Sequence, residues 1–179
     1  MKYRNLRHNV ALIGLVMLFF SLSFVVGVDA STIDPIEPTL AHKTPITFEF
    51  TNNAIDGAYE RLWFSKHGTI LHARGWDHIG DVWGGLEGTL TYVGDINFNM
   101  LTYDGTGGGT VCFTVNYEGL SGNFEGRMVI KVNGGYITGM FVCHGEGDFE
   151  GMHLKGTCEG AMGEGAVYSA NAVLLNPKA

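Results

Sequence analysis

The stretch Gly145–Gly160, GEGDFEGMHLKGTCEG, narrows most sharply what this chain can become. A glycine-punctuated turn leads into a segment where Met152, Leu154, Gly156 and Cys158 alternate with His153, Lys155, Thr157 and Glu159. A period of two belongs to a strand whose successive side chains face opposite ways. One face is apolar or bare and the other polar, so one face packs on a core. Glycine on the packed face suits a narrow, strongly curved β-barrel, where side-chain room is short.

The same alternation recurs along the chain. Ile46, Phe48 and Phe50 alternate with Thr47, Glu49 and Thr51. Further strands are expected at 59–66, 69–76, 86–96, 110–116, 122–132, 135–144, 152–158 and 166–174. Short turns between consecutive strands favour an all-β fold, a single antiparallel up-and-down β-barrel of about eight strands, which also removes unpaired edges. A two-sheet sandwich is the structural alternative. A two-residue turn at Asn133-Gly134 would set Ile130 opposite Ile137, Met128 opposite Gly139 and Gly126 opposite Phe141. Gly126, Gly139, Gly156 and Gly160 then share the apolar face, where they either let the barrel close or leave a cavity. Two glycine-rich segments, GWDHIGDVWGG and DGTGGGT (104–110), read as loops.

The first thirty residues read as a targeting segment. Lys2, Arg4 and Arg7 precede an uncharged apolar run over residues 10–28, followed by the small-x-small site Val28-Asp29-Ala30. The segment is a signal peptide or, if uncleaved, a membrane anchor helix, since the run is long enough to span a bilayer. Either way the remainder is expected to be secreted or extracytoplasmic. Residues 31–44, with Pro35 and Pro38, read as an extended linker, and 45–179 as the barrel domain. Removing Lys2, Arg4, Arg7 and Asp29 from totals of 11 basic and 18 acidic side chains leaves 8 against 17, a formal charge of −9. That sign argues against nucleic acid as a partner, and a membrane is expected to be met only through residues 10–28.

Gly145-x-Gly147-x-Phe149-x-x-Met152, with Gly156 beyond, resembles the glycine turn of the allene oxide cyclase and dirigent-like β-barrel superfamily. The resemblance implies an eight-stranded antiparallel barrel with a hydrophobic interior. Glu146 stands where those families carry Thr or Ser, and no catalytic residue aligns elsewhere. The fold alone is carried over.

The 59–76 hairpin is the first candidate ligand site. A turn at His67-Gly68 places Tyr59 opposite Trp76, Arg61 opposite Arg74 and Trp63 opposite His72, all on one face. Two facing arginines among aromatics can hold a carboxylate bidentately. The plain alternative is a solvated face whose charge is neutralised by a neighbouring strand, through Glu87 for instance. Trp76 and Trp83 could close a barrel mouth or plug the core there.

Three cysteines follow the leader. Cys143 and Cys158 share an apolar face and are the candidate disulfide, against three buried free thiols. Cys112 lies off that face. No close cysteine pair and no His-x-His spacing points to a metal, and the acidic turn of Glu146, Asp148 and Glu150 is read as splayed into solvent. No cofactor is called for: the glycine-rich segment 104–110 lacks the Lys-Ser/Thr ending of a phosphate loop, and no hydrolase motif is present. The leading expectation is a barrel that binds a small apolar, amphipathic or carboxylate ligand. A cyclase- or isomerase-type enzyme and a non-catalytic cell-surface interaction domain are the alternatives, and a filled interior favours the last.

Overall fold

The computed structural model describes residues 42–177, so the expected leader and all but the end of the expected linker lie outside the described residues. Ten strands form one antiparallel sheet: β1 (His42–Thr51), β2 (Asn53–Ala54), β3 (Arg61–Ser65), β4 (Ile70–Gly84), β5 (Glu87–Asn99), β6 (Asp104–Tyr117), β7 (Leu120–Asn133), β8 (Tyr136–Gly147), β9 (His153–Ala161) and β10 (Val167–Asn176). No helix occurs among the described residues. Strands β4 to β10 pair in chain order, β10 pairs with β1, and β1 returns to β4, closing an eight-strand ring. The sandwich alternative is thereby excluded. β3 extends the sheet beyond the ring along the first half of β4.

Four differences from the sequence expectations shape the ring, and glycine explains most of them. β1 begins at His42, so His42–Thr44 are strand rather than linker. The segment GWDHIGDVWGG is not a loop but part of β4, and DGTGGGT opens β6. Their glycines admit neighbouring backbone rather than a turn: a β carbon at Gly80 would collide with the Thr51 carbonyl, and one at Gly109 with the Val93 carbonyl. The β7–β8 turn is Gly134-Gly135, with both residues at positive φ, instead of Asn133-Gly134. This is the backbone that a two-residue hairpin demands. Ile130 therefore faces Gly139 and Met128 faces Phe141. The register moves by two residues, and every side chain keeps its expected face.

The interior is packed with rings. Phe48 meets Phe113 edge-on at 5.6 Å, Phe113 meets Phe141 at 5.4 Å, and Phe50 stacks on Tyr168 at 5.4 Å. Each such pair adds about 0.5–1.5 kcal/mol beyond its area burial. The inward glycines are covered: a β carbon at Gly139 would lie 2.8 Å from the Cys158 sulfur, and one at Gly156 2.6 Å from the Phe141 ring. At Gly126 it would run into the Val142 carbonyl. These glycines let walls and rings approach one another instead of leaving a cavity. At one end of the ring the turn after β8 folds inward, and Phe149, fully buried, stacks on Phe124 at 4.6 Å. The bare Gly122 and Gly145 both lie against Phe149. The glycine turn that dominates the sequence is thus the socket of an aromatic plug.

Candidate functional site

The β3–β4 hairpin brings the expected residues together with the expected register. Arg61 lies opposite Arg74 and Trp63 opposite His72. Trp63 and His72 stack at 4.8 Å, 15° from parallel, and both guanidinium groups lie over the indole, Arg61 at 4.5 Å and Arg74 at 5.1 Å. Two cations on one rung are tolerable here because the ring faces of aromatics attract positive charge.

The two arginines differ in how they are held. Arg74 is half-buried and donates to the carbonyls of Ala73 and Ile96 and to Asn97 Oδ1, with Asp95 at 3.5 Å. Its partner is therefore Asp95, and Glu87 sits far along β5. His72 Nδ1 donates to the same Asn97 Oδ1 at 2.7 Å, which leaves Nε2 to accept from Ser65 Oγ at 2.8 Å. Arg61 is exposed, and among the described residues no carboxylate lies within ion-pair distance of it. A depression of about 320 Å³, with Glu60, Gly75, Asp95 and Arg127 on its walls, adjoins the Arg74–Asp95 pair.

Trp76 turns inward, in keeping with the core-plug reading and away from the face of Arg74, whereas Trp83 neither plugs the core nor closes a mouth. A β-bulge between Ala73 and Trp76 inserts one residue into β4 relative to β5, with Gly75 at φ +57°. The parity of β4 inverts there. Trp76 consequently shares the inner face with His78 and Gly80, opposite to Arg74, while its edge-on contact with Tyr59 at 6.5 Å and its indole bond to the Ile55 carbonyl at 3.1 Å survive. Trp83 faces outward, away from any barrel mouth, and donates to Glu49 Oε2 at 2.7 Å across the β1–β4 pairing.

Sequence reading missed a second cluster, inside the ring and toward the end opposite to Phe149. His78 is nine-tenths buried and packs edge-on against Tyr92 at 5.5 Å and beside Trp76 at 5.4 Å. Both His78 ring nitrogens, the Tyr92 hydroxyl and Asn52 Oδ1 are buried with no hydrogen-bond partner. Burial holds His78 below the ordinary histidine range, only partly opposed by the approach of the Asn52 backbone and by the charge of Asp77. Burial, helped by Asp95, pushes Tyr92 up to about 12. Both groups are thus neutral near pH 7. The face of Tyr92 follows from its alternation with Leu90 along β5, whereas that of His78 is set only by the bulge in β4.

The cysteine expectation is corrected. All three cysteines are free. Cys143 pairs across to Leu154 and Cys158 to Gly139, which puts them four residues apart along the ladder, roughly 13 Å and beyond the ~7 Å reach of a disulfide. Burial pushes the Cys143 thiol up to about 12 and Cys158 to about 11, so both stay protonated and inert. Among the described residues no group of histidines, cysteines and carboxylates is arranged to hold a metal. Asp148, from the acidic turn, accepts the Ser121 backbone N–H at 3.0 Å.

No protein-family profile matches the sequence, and no curated protein matches it. Among solved structures, a DUF3224-family protein of unknown function from Shewanella oneidensis MR-1 is similar, with a TM-score of 0.52 and 15% identity over 76% of this chain and 99% of that one. That is a likeness of fold alone. It supports the antiparallel ring and assigns no chemistry to it.

Proposed function

We propose that this chain is an extracytoplasmic, non-catalytic β-barrel that binds a small carboxylate on the outer face of the β3–β4 hairpin. The carrying observation is Arg61: an exposed guanidinium seated on Trp63, without a carboxylate partner on a strongly acidic chain. Arg74, fixed by backbone carbonyls and Asn97, supplies a rigid neighbour, and the Trp63–His72 stack orients both. A carboxylate approaching Arg61 meets a pre-positioned planar donor fork, which lowers the ordering cost of binding. The export reading rests on residues 1–30, and the barrel reading on the closed ring and on the Gly145–Met152 resemblance. The rings of Phe48, Phe113 and Phe141 pack against one another in the interior, which favours a non-catalytic domain over a cyclase or an interior ligand cavity, and the binding face proposed is therefore the outer one.

Calorimetric titration with benzoate, alongside benzylamine as the charge-reversed control, tests this reading. Saturable benzoate binding weakened at least about tenfold by Arg61→Ala is expected, since hydrogen bonds to charged groups contribute about 1.5–3 kcal/mol. Equal binding of benzylamine, or benzoate binding indifferent to Arg61→Ala, would remove it.

A further inference from the structure

We propose that the seam joining the β1–β2 segment to β4 is an acid-sensitive opening of the ring, triggered by proton uptake at His78. The seam is the weakest join of the ring. β1 meets β4 through three residue pairs, Phe48–Gly84, Glu49–Trp83 and Phe50–Val82, and the same alignment resumes in β2 with Asn53–Ile79 and Ala54–His78. By contrast β5–β6 and β6–β7 pair along nearly their whole lengths.

Between the two stretches the ladder is broken at Thr51 and Asn52. The Thr51 carbonyl presses on Gly80, where no side chain fits, and the Asp81 N–H is taken by the Thr51 hydroxyl at 3.0 Å in place of a backbone carbonyl. Asn52 follows the inward parity of Phe48 and Phe50, and its Oδ1 is buried without a partner. A gap in a ladder flanked by unpaired buried polar atoms opens at low cost, because those atoms gain water when it does.

His78 stands at this gap, paired with Ala54 on β2 and Tyr92 on β5. From β5 it faces the neutral Tyr92 phenol, with Asp95 acting on that phenol. From the β1–β2 side it faces the uncharged Asn52, and on its own strand the nearest charge is Asp77. Only the Asn52 backbone approaches the imidazole closely enough to favour its charged form, and neither ring nitrogen makes a well-aligned hydrogen bond. Charging the ring inside the closed wall is therefore penalised, whereas in the opened seam water solvates it. Proton uptake then favours the open form by the difference between the two states. Opening uncovers Trp76, His78 and Tyr92 and leaves the Phe149 end closed.

Amide hydrogen exchange of the full chain, expressed as protection factors at about pH 7.5 and about pH 5, tests the device on either side of the histidine range. The expected result is at least a tenfold loss of protection at Glu49, Asn53 and Trp83, whose amides face the seam, on acidification, with Phe113 and Phe124 remaining the better protected at both pH values. His78→Phe and His78→Gln should each abolish the loss, the second keeping a polar, non-titrating side chain should the first fail to fold. Seam and core equally protected at both pH values, unchanged seam protection on acidification, or a loss that persists in a folded His78 variant would each overturn the proposal.

Discussion

At one end of the ring Phe149 stacks on Phe124 and, among the described residues, no buried side-chain polar atom lacks a partner; toward the other, Asn52, His78 and Tyr92 hold polar atoms in the wall without partners. Both ends come from the same alternating strands, so alternation alone does not decide their chemistry. The difference lies in what interrupts each end. At the sealed end a turn rich in glycine lets a phenylalanine fold inward. At the polar end a β-bulge resets the parity of β4 and turns Trp76 and His78 inside, where the plain alternation of β1 and β5 already points Asn52 and Tyr92. A wall sealed by aromatic packing is expected to be rigid, and a wall with unpaired polar atoms is where the fold has least to lose by opening.

The sharpest way to break this comparison is to damage the sealed end. Phe149→Ala removes a fully buried ring from the Phe124 stack and is expected to cost about 3–5 kcal/mol in a denaturant titration. A cost under about 1 kcal/mol would mean that the plug is not seated. Gly156→Ala comes next: its β carbon would crowd the Phe141 ring and the Ala172 side chain, and overpacking of this kind costs about 1–3 kcal/mol.

At the polar end the same logic reverses. Tyr92→Phe deletes a hydroxyl that has no partner, so stability should stay level or rise by up to about 1 kcal/mol. A clear loss would reveal a bond to that hydroxyl. Acidity sharpens the contrast further. His78 binds its proton less readily folded than unfolded, so the unfolded state takes up more protons as pH falls below the ordinary value of 6.5, and stability declines there. His78→Phe should flatten that slope in unfolding midpoints measured across the same range. The smallest effect is expected on the outer face, where Asp95→Asn breaks a half-exposed ion pair and should change stability by no more than about 1 kcal/mol.

Much of the ring was legible because period-two patterning survives small errors of register. The β7–β8 turn falls one residue later than the sequence suggests, yet Phe124, Met128 and Phe141 all face inward as expected, since a two-residue slip preserves parity. The hairpin register of Arg61 with Arg74 and Trp63 with His72 was legible for the same reason. What was not legible turns on glycine used for close approach instead of turning. Gly80 and Gly109 look like loop residues in sequence and lie in strands because backbone from a neighbour occupies the space of a side chain. The bulge at Gly75 leaves no periodic signature, so the inward face of Trp76 and the cluster around His78 could be seen only in three dimensions. The pairing of Cys143 with Cys158 failed on position along the ladder, which a shared face does not fix.

The central claim is a closed ring with an aromatic end and a polar end, and proton–proton NOEs across the β1–β4 join test it most directly. Cross-peaks are expected between Phe48 and Gly84 and between Phe50 and Val82, with Trp76 ring protons near the His78 ring, His78 ring protons near Tyr92 and Phe149 ring protons near Phe124. Phe50 without contacts to β4, or Trp76 rings contacting Arg61 on the outer face instead of the inner wall, would contradict it.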